Sequence, residues 1–210
     1  MKKKILGVNL LLVVITAMVA AGCGPLLGVK KAEESYYVLT DNERIPDERL
    51  PASRARLLVS DTKANPFINS QRIIFSEDPS RRGYYQLAKW VESPAKRFTL
   101  LLIQRFIRAG VFASVSSVGG ATLGDLQVNT EVTEFYHNIR TMPGKIVISV
   151  NAELVDLIHR VSIKSQLFEL EVPVKDYSAE GAVSAFSQGV NVLLDRIVVW
   201  AAKNAPETGQ

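Results

Sequence analysis

Six apolar residues near the C-terminus, Val183, Phe186, Val190, Leu193, Ile197 and Trp200, recur at intervals of three and four without a miss. That is the period of one helix face. Such a face has to be covered. Burying its six side chains contributes on the order of 10 kcal/mol gross, at ~1.5–3 each. Ser178 suits the N-cap, Glu180 complements the helix dipole, and Ser184, Gln188, Asn191 and Asp195 are expected to face away. A second helix is predicted over 94–109. Ser93 is its N-cap, Pro94 sits where a missing N–H costs nothing, and Gly110 suits the C-terminal cap. Phe98, Leu101, Leu102 and Phe106 line its apolar side with Arg105 at the margin. Leu100, Ile103 and Ile107 widen the arc, and Arg97, Gln104 and Arg108 form the polar side.

Two helices with apolar faces need a sheet to cover, and alternation supplies one. Leu126, Val128, Thr130 and Val132 alternate with Gln127, Asn129, Glu131 and Thr133. Ile146, Ile148, Val150, Ala152 and Leu154 alternate with more polar partners. Pro143-Gly144 between them fits a type II turn. A third long strand runs over 161–172, where the apolar phase changes near residues 165–167 and predicts a bulge. Shorter strands are expected at 36–40, 56–59, 72–75 and 111–118, and a turn at 81–83 leads into Tyr84. The expected fold class is α+β: a mostly antiparallel sheet with two long amphipathic helices packed on one face.

The N-terminus carries an address. Lys2, Lys3 and Lys4 precede an apolar run over 5–19, and Ala20-Ala21-Gly22 leads into Cys23. The run is short for a membrane span and is flanked like an export signal. Small residues before a cysteine are what a lipoprotein signal peptidase admits. We therefore expect residues 1–22 to be a cleaved signal peptide and Cys23 to be lipidated. Residues 23–34 then form a flexible tether, 35–204 the folded domain, and 205–210 a polar tail. Gly24, rather than Asp, after the cysteine leans towards the outer membrane of a Gram-negative envelope. Several acyl chains at about 0.8 kcal/mol per buried methylene make a stable anchor. Removing residues 1–22 leaves 22 basic and 21 acidic residues, a net +1. The basic character belongs mostly to the discarded peptide and gives no argument for a nucleic-acid partner.

Composition narrows the chemistry. With 47% apolar and 22% charged residues the chain is globular, and its single cysteine excludes an internal disulfide framework. No phosphate-binding glycine loop and no nucleophile elbow occur in the sequence. His137 and His159 read as solvated or hydrogen-bonded rather than metal-ligating, and Glu131, Glu134 and Glu153 as solvated strand residues rather than an acid pair. Neither an enzymatic role nor a cofactor is expected. Two features are candidate partner contacts. Lys96 and Arg97 place positive charge in a first helical turn, against the dipole. Tyr84, Tyr85 and Trp90 cluster ahead of that helix, and form either an aromatic contact patch or part of the core.

Several segments together resemble a known family: Tyr36-Tyr37-Val38-Leu39, Ile73-Ile74-Phe75, the run from Tyr84-Tyr85-Gln86-Leu87 through Trp90 to Ser93-Pro94, and a helix ending Ala109-Gly110-Val111-Phe112. With the lipobox, Phe135 and the late Trp200, their order is similar to that of the ABC-type transport auxiliary lipoproteins, the PqiC-like group. The resemblance spans about residues 36–202. It implies a non-catalytic, outer-membrane-anchored, periplasm-facing accessory of a phospholipid or hydrophobic-solute transport system. The partners it implies are a mammalian-cell-entry (MCE) domain protein and, through it, an ABC permease and ATPase. Cys23 is the one functional position that carries over. Self-association is compatible with the sequence. A lipid carrier with an apolar cavity, and a purely structural envelope lipoprotein, remain alternatives.

Overall fold

The computed structural model describes residues 33–41 and 50–206; Cys23 and the expected signal peptide lie outside them. The elements follow in the order β1 Ser35–Tyr37, β2 Ser53–Val59, β3 Lys63–Ala64, β4 Arg72–Asp78, β5 Arg81–Trp90, α1 Pro94–Ala109, β6 Phe112–Ser117, β7 Leu126–Asn138, β8 Lys145–Asp156, β9 Val161–Pro173 and α2 Ala179–Asn204.

β7 is the spine of the sheet. One of its edges pairs antiparallel with β8, which pairs antiparallel with β9. Its other edge is shared by β2, β3 and β4 in turn, all parallel to it: Val59 lies opposite Val128, Lys63 opposite Glu131, and Phe75 opposite His137. From that edge the sheet forks. β6 extends it beyond β2 in parallel, while β5 and then β1 extend it beyond β4. The sheet is therefore mixed, and the expectation of a mostly antiparallel sheet is corrected. Alternation tells which face of a strand is buried, but not the direction of a partner some sixty residues away.

Both helices lie on one face of the sheet, as the apolar periodicity requires. α2 covers β8 and β9, and α1 covers β2 and β6 and leans on α2. Where they meet the sheet, Phe135 stacks on Phe186 at 4.3 Å between ring centroids, and Trp90 meets Phe186 edge-on at 5.6 Å. Gly189 marks a close approach: an added Cβ would stand 2.8 Å from Ile148 Cδ1. α2 is long and apolar enough to cross a membrane by composition, yet 67% of its most apolar window is buried within the fold, as suits a core helix.

The local signals at α1 are realised. Ser93 accepts a hydrogen bond from the Lys96 amide, Pro94 opens the helix, and Gly110 closes it at φ 62°. Three details differ from the sequence reading. The β9 register shift falls at Ile163, between the pairs Leu154–Lys164 and Val155–Ser162, slightly before the predicted place. A second shift at Thr133 in β7 brings Phe135 and His137 onto the helix side. Arg105 and Asn191, read as marginal and outward-facing, are buried, at 0% and 6% exposure.

Candidate functional site

The helices leave the other face of the sheet open, and the fork in the sheet divides that face. Between β3 and β4 the chain leaves the β7 edge over residues 65–71 and returns. The gap is a groove of about 320 Å³, lined by Phe67, Ile74, Arg82, Thr133, Glu134 and Tyr136 among others. Two cation–aromatic stacks flank it. The Arg82 guanidinium lies 4.0 Å from the Tyr136 ring centre, and Arg72 lies 4.7 Å from that of Tyr84. Phe67 stacks on Tyr84 at 4.6 Å. Arg82 is held in place by Ser76 Oγ at 2.9 Å and the Pro79 carbonyl at 3.1 Å, with Glu134 at 3.5 Å. The groove therefore presents fixed aromatic faces and one balanced ion pair.

The five candidate contact residues do not form one patch. Tyr84 is half-buried on the groove side. Tyr85 turns inward, and its hydroxyl lies 2.8 Å from His137 Nδ1; burial pushes its pKa up to about 12. Trp90 is 1% exposed and belongs to the core, because it alternates with outward-facing Lys89 and Val91. Lys96 is exposed, 3.9 Å from Glu92. Arg97 is largely committed: its Nε donates to the Leu39 carbonyl at 3.0 Å. Its place in the fold explains a cation in a first helical turn, since it secures the segment after β1.

That segment, Leu39–Asp41, is bound by both helices. Thr40 donates its amide to Ser187 Oγ at 3.3 Å, and its carbonyl accepts from Asn191 Nδ2 at 3.0 Å. Arg105 donates to Asp41, Asp195 and Asn191, and Arg108 also reaches Asp41. The sequence set Asn191 and Asp195 facing away and Arg105 at a margin because it carries no signal that residues 39–41 lie across these helix faces.

His137 is fully buried. Its Nε2 lies 2.9 Å from the Pro143 carbonyl, which leaves Nδ1 to accept from Tyr85, and burial lowers its pKa despite that carbonyl. His159 is exposed beside Asp156. Glu131, Glu134 and Glu153 lie on the open face; hydrogen bonds from Ser162 and Asn129 hold the Glu153 carboxyl below its usual range. Among the described residues no three His, Cys, Asp or Glu side chains are grouped to hold a metal ion. A second cleft, about 400 Å³ beside the start of α2, is lined by Lys175, Asp176, Glu180, Ser184 and Gln188, a polar set unsuited to acyl chains.

With this geometry established, comparison with known proteins adds the family. Residues 37–198 match the model of a family described as the ABC-type transport auxiliary lipoprotein component. The fold is similar to the crystal structure of a Xanthomonas campestris protein of the DUF330 family, with a TM-score of 0.75 at 21% identity over 81% of this chain and 96% of that one. It is also similar to a crystallised uncharacterised protein, with a TM-score of 0.61 at 15% identity over 79% of this chain and 97% of that one. A hypothetical protein from Chlamydia trachomatis gives 0.51 at 11% identity, over 72% and 98% of the two chains. Among curated proteins no sequence matches. At these identities the structural likeness establishes the fold alone.

Proposed function

Because this chain belongs to the ABC-type transport auxiliary lipoprotein family, we propose that it is a non-catalytic docking subunit held to the outer membrane through acylated Cys23 and facing the periplasm. The system it serves moves phospholipid or another hydrophobic solute. An MCE-domain protein is its direct partner and links it to the ABC permease and ATPase. The observation that carries this reading is the family match across residues 37–198, which takes in nearly all of the described fold.

The surface is consistent with docking. The groove presents aromatic faces held by stacked arginines, and such pre-ordered anchors lose little side-chain entropy on binding. Of the five candidate contacts, Tyr84 and Lys96 are the ones we assign to a partner. Trp90 and Tyr85 support the β5 strand from inside, and Arg97 secures the segment after β1. The carrier reading draws less support, since the cleft beside α2 has a charged and polar lining and the groove, though it includes Phe67 and Ile74, also holds the Arg82–Glu134 ion pair.

The test is affinity capture of the full-length lipoprotein from its own envelope. An MCE-domain protein and an ABC permease should co-purify. Tyr84→Ala with Lys96→Glu should reduce that recovery several-fold while the protein stays in the membrane fraction. Cys23→Ala should abolish incorporation of labelled fatty acid and leave residues 1–22 uncleaved. Recovery of neither component with the unaltered chain would refute the docking reading.

A further inference from the structure

The open face has a second feature, at the β1 edge. The register sets Ser35, Tyr36 and Tyr37 beside Ala88, Lys89 and Trp90. Ala88 and Trp90 are buried, so Leu87, Lys89 and Val91 turn the other way, and Tyr36 turns with them. Tyr36, Val38, Leu87 and Val91 are 59%, 41%, 49% and 49% exposed. Lys89 stands among them and Arg72 lies opposite it on β4. Exposed aliphatic and aromatic side chains gathered around two cations are unusual for a strand face left to water, which normally alternates polar residues outward.

The far end of the same face is more acidic. There β7, β8 and β9 carry Glu131, Glu134, Glu153, Glu169 and Glu171, of which Glu134 pairs with Arg82 and Glu171 with Lys145 at 2.6 Å, while Glu131 lies opposite Lys63. Exposed Leu167 lies among them, so the helix-free side gathers apolar side chains and cations at β1 and has a partly neutralised acidic excess towards β9.

We propose that Tyr36, Val38, Leu87 and Val91, with Lys89 and Arg72, rest on the surface of the lipid bilayer that holds the anchor. The proposal builds on the Cys23 anchor above. Chain length supports it: the dozen residues from Cys23 to Glu34 span at most about 40 Å fully extended, and about 20 Å root-mean-square as a random coil. β1 begins at the next residue, so this edge is the part of the domain kept closest to the lipid. The chemistry agrees. A tyrosine suits the headgroup level, aliphatic side chains suit the layer beneath it, and lysine and arginine reach lipid phosphates. Lys89 now bridges Glu34 at 2.8 Å, an exposed pair that headgroup phosphates would compete for. The glutamates at the β9 end would be repelled by an anionic leaflet and so turn outward. An anchor already supplies high effective concentration, so a weak patch suffices to orient the domain.

The acylated chain has no free thiol, because Cys23 is its single cysteine. One introduced cysteine is therefore a unique labelling site. Full-length lipidated Leu87→Cys and Val91→Cys proteins, labelled with a small fluorophore, are placed in phosphatidylethanolamine–phosphatidylglycerol vesicles containing brominated lipid. The controls are Leu123→Cys and Ile158→Cys, whose parent residues are at least as exposed, at 78% and 67%. Quenching should be several-fold stronger at positions 87 and 91 than at 123 and 158. Protein that floats with the vesicles but is quenched equally at all four sites would overturn the patch and leave the anchor intact. Protein that fails to float would overturn both.

Discussion

Arg105 illustrates how one side chain can have a meaning that periodicity hides. It lies at 0% exposure between two helices and serves the carboxylates of Asp41 and Asp195 and the amide oxygen of Asn191. Taking a guanidinium out of water is costly, and only good geometry with several acceptors compensates. Removing it leaves Asp195 without that guanidinium and Asp41 dependent on Arg108. Arg105→Ala is therefore expected to destabilise the domain by about 3–5 kcal/mol, read as a lower urea midpoint. A loss below about 1 kcal/mol, the range of an exposed pair, would show that the cluster is not a buried one.

Among the elements, β7 carries the largest share of the organisation. Its Thr130 hydroxyl lies 2.8 Å from Thr62 Oγ1 at the entry to β3, and Thr99 on α1 accepts the Thr62 amide at 2.8 Å. Three buried threonines thus pin helix, short strand and spine at one point. Thr99→Val keeps the volume but strands the Thr62 N–H. Leaving a buried donor unsatisfied costs about 1–3 kcal/mol. The variant should lose that much by equilibrium unfolding and show faster exchange of the Thr62 amide. Unchanged stability and exchange would mean that water replaces the hydroxyl. The threonine at 130 was legible as an inward position of an alternating strand, but its partners, on segments remote in the chain, were not.

Proton linkage is a property of the whole molecule. His137 has its pKa lowered by burial, so below the ordinary histidine value near 6.5 the unfolded chain takes up a proton that the folded one resists. Stability therefore falls as pH falls through that region. Asp125, held at about 2 chiefly by hydrogen bonds from Arg56, contributes stability that is complete above 3.8 and lost as pH falls towards 2. Acid should act in two stages, and His137→Gln should remove the first. Glutamine can still accept from Tyr85 and donate to Pro143 but does not titrate. Urea midpoints at pH 7.5 and 5.5, followed by tryptophan fluorescence, should differ for the unaltered protein and converge for the variant. An equal difference in both would assign the first stage to other groups.

The sequence settled what local physics controls. Ser93, Pro94 and Gly110 set the limits of α1 because caps and a locked φ act within one turn. The three-and-four spacing up to Trp200 fixed the buried side of α2, since a helix has one period whatever it packs against. Alternation set the inward residues of β7 and β8 up to the shift at Thr133. Membership in a transport-auxiliary family was legible because side-chain order survives without contacts. The fold alone set the rest: that β2, β3 and β4 share one edge of β7 in parallel, that Arg105 and Asn191 bind residues 39–41, that Trp90 is core, and that Tyr36, Leu87 and Val91 share an open face. Each of these depends on which remote segments become neighbours. That choice is made by the packing free energy of the whole chain and leaves no periodic mark on any one stretch of it.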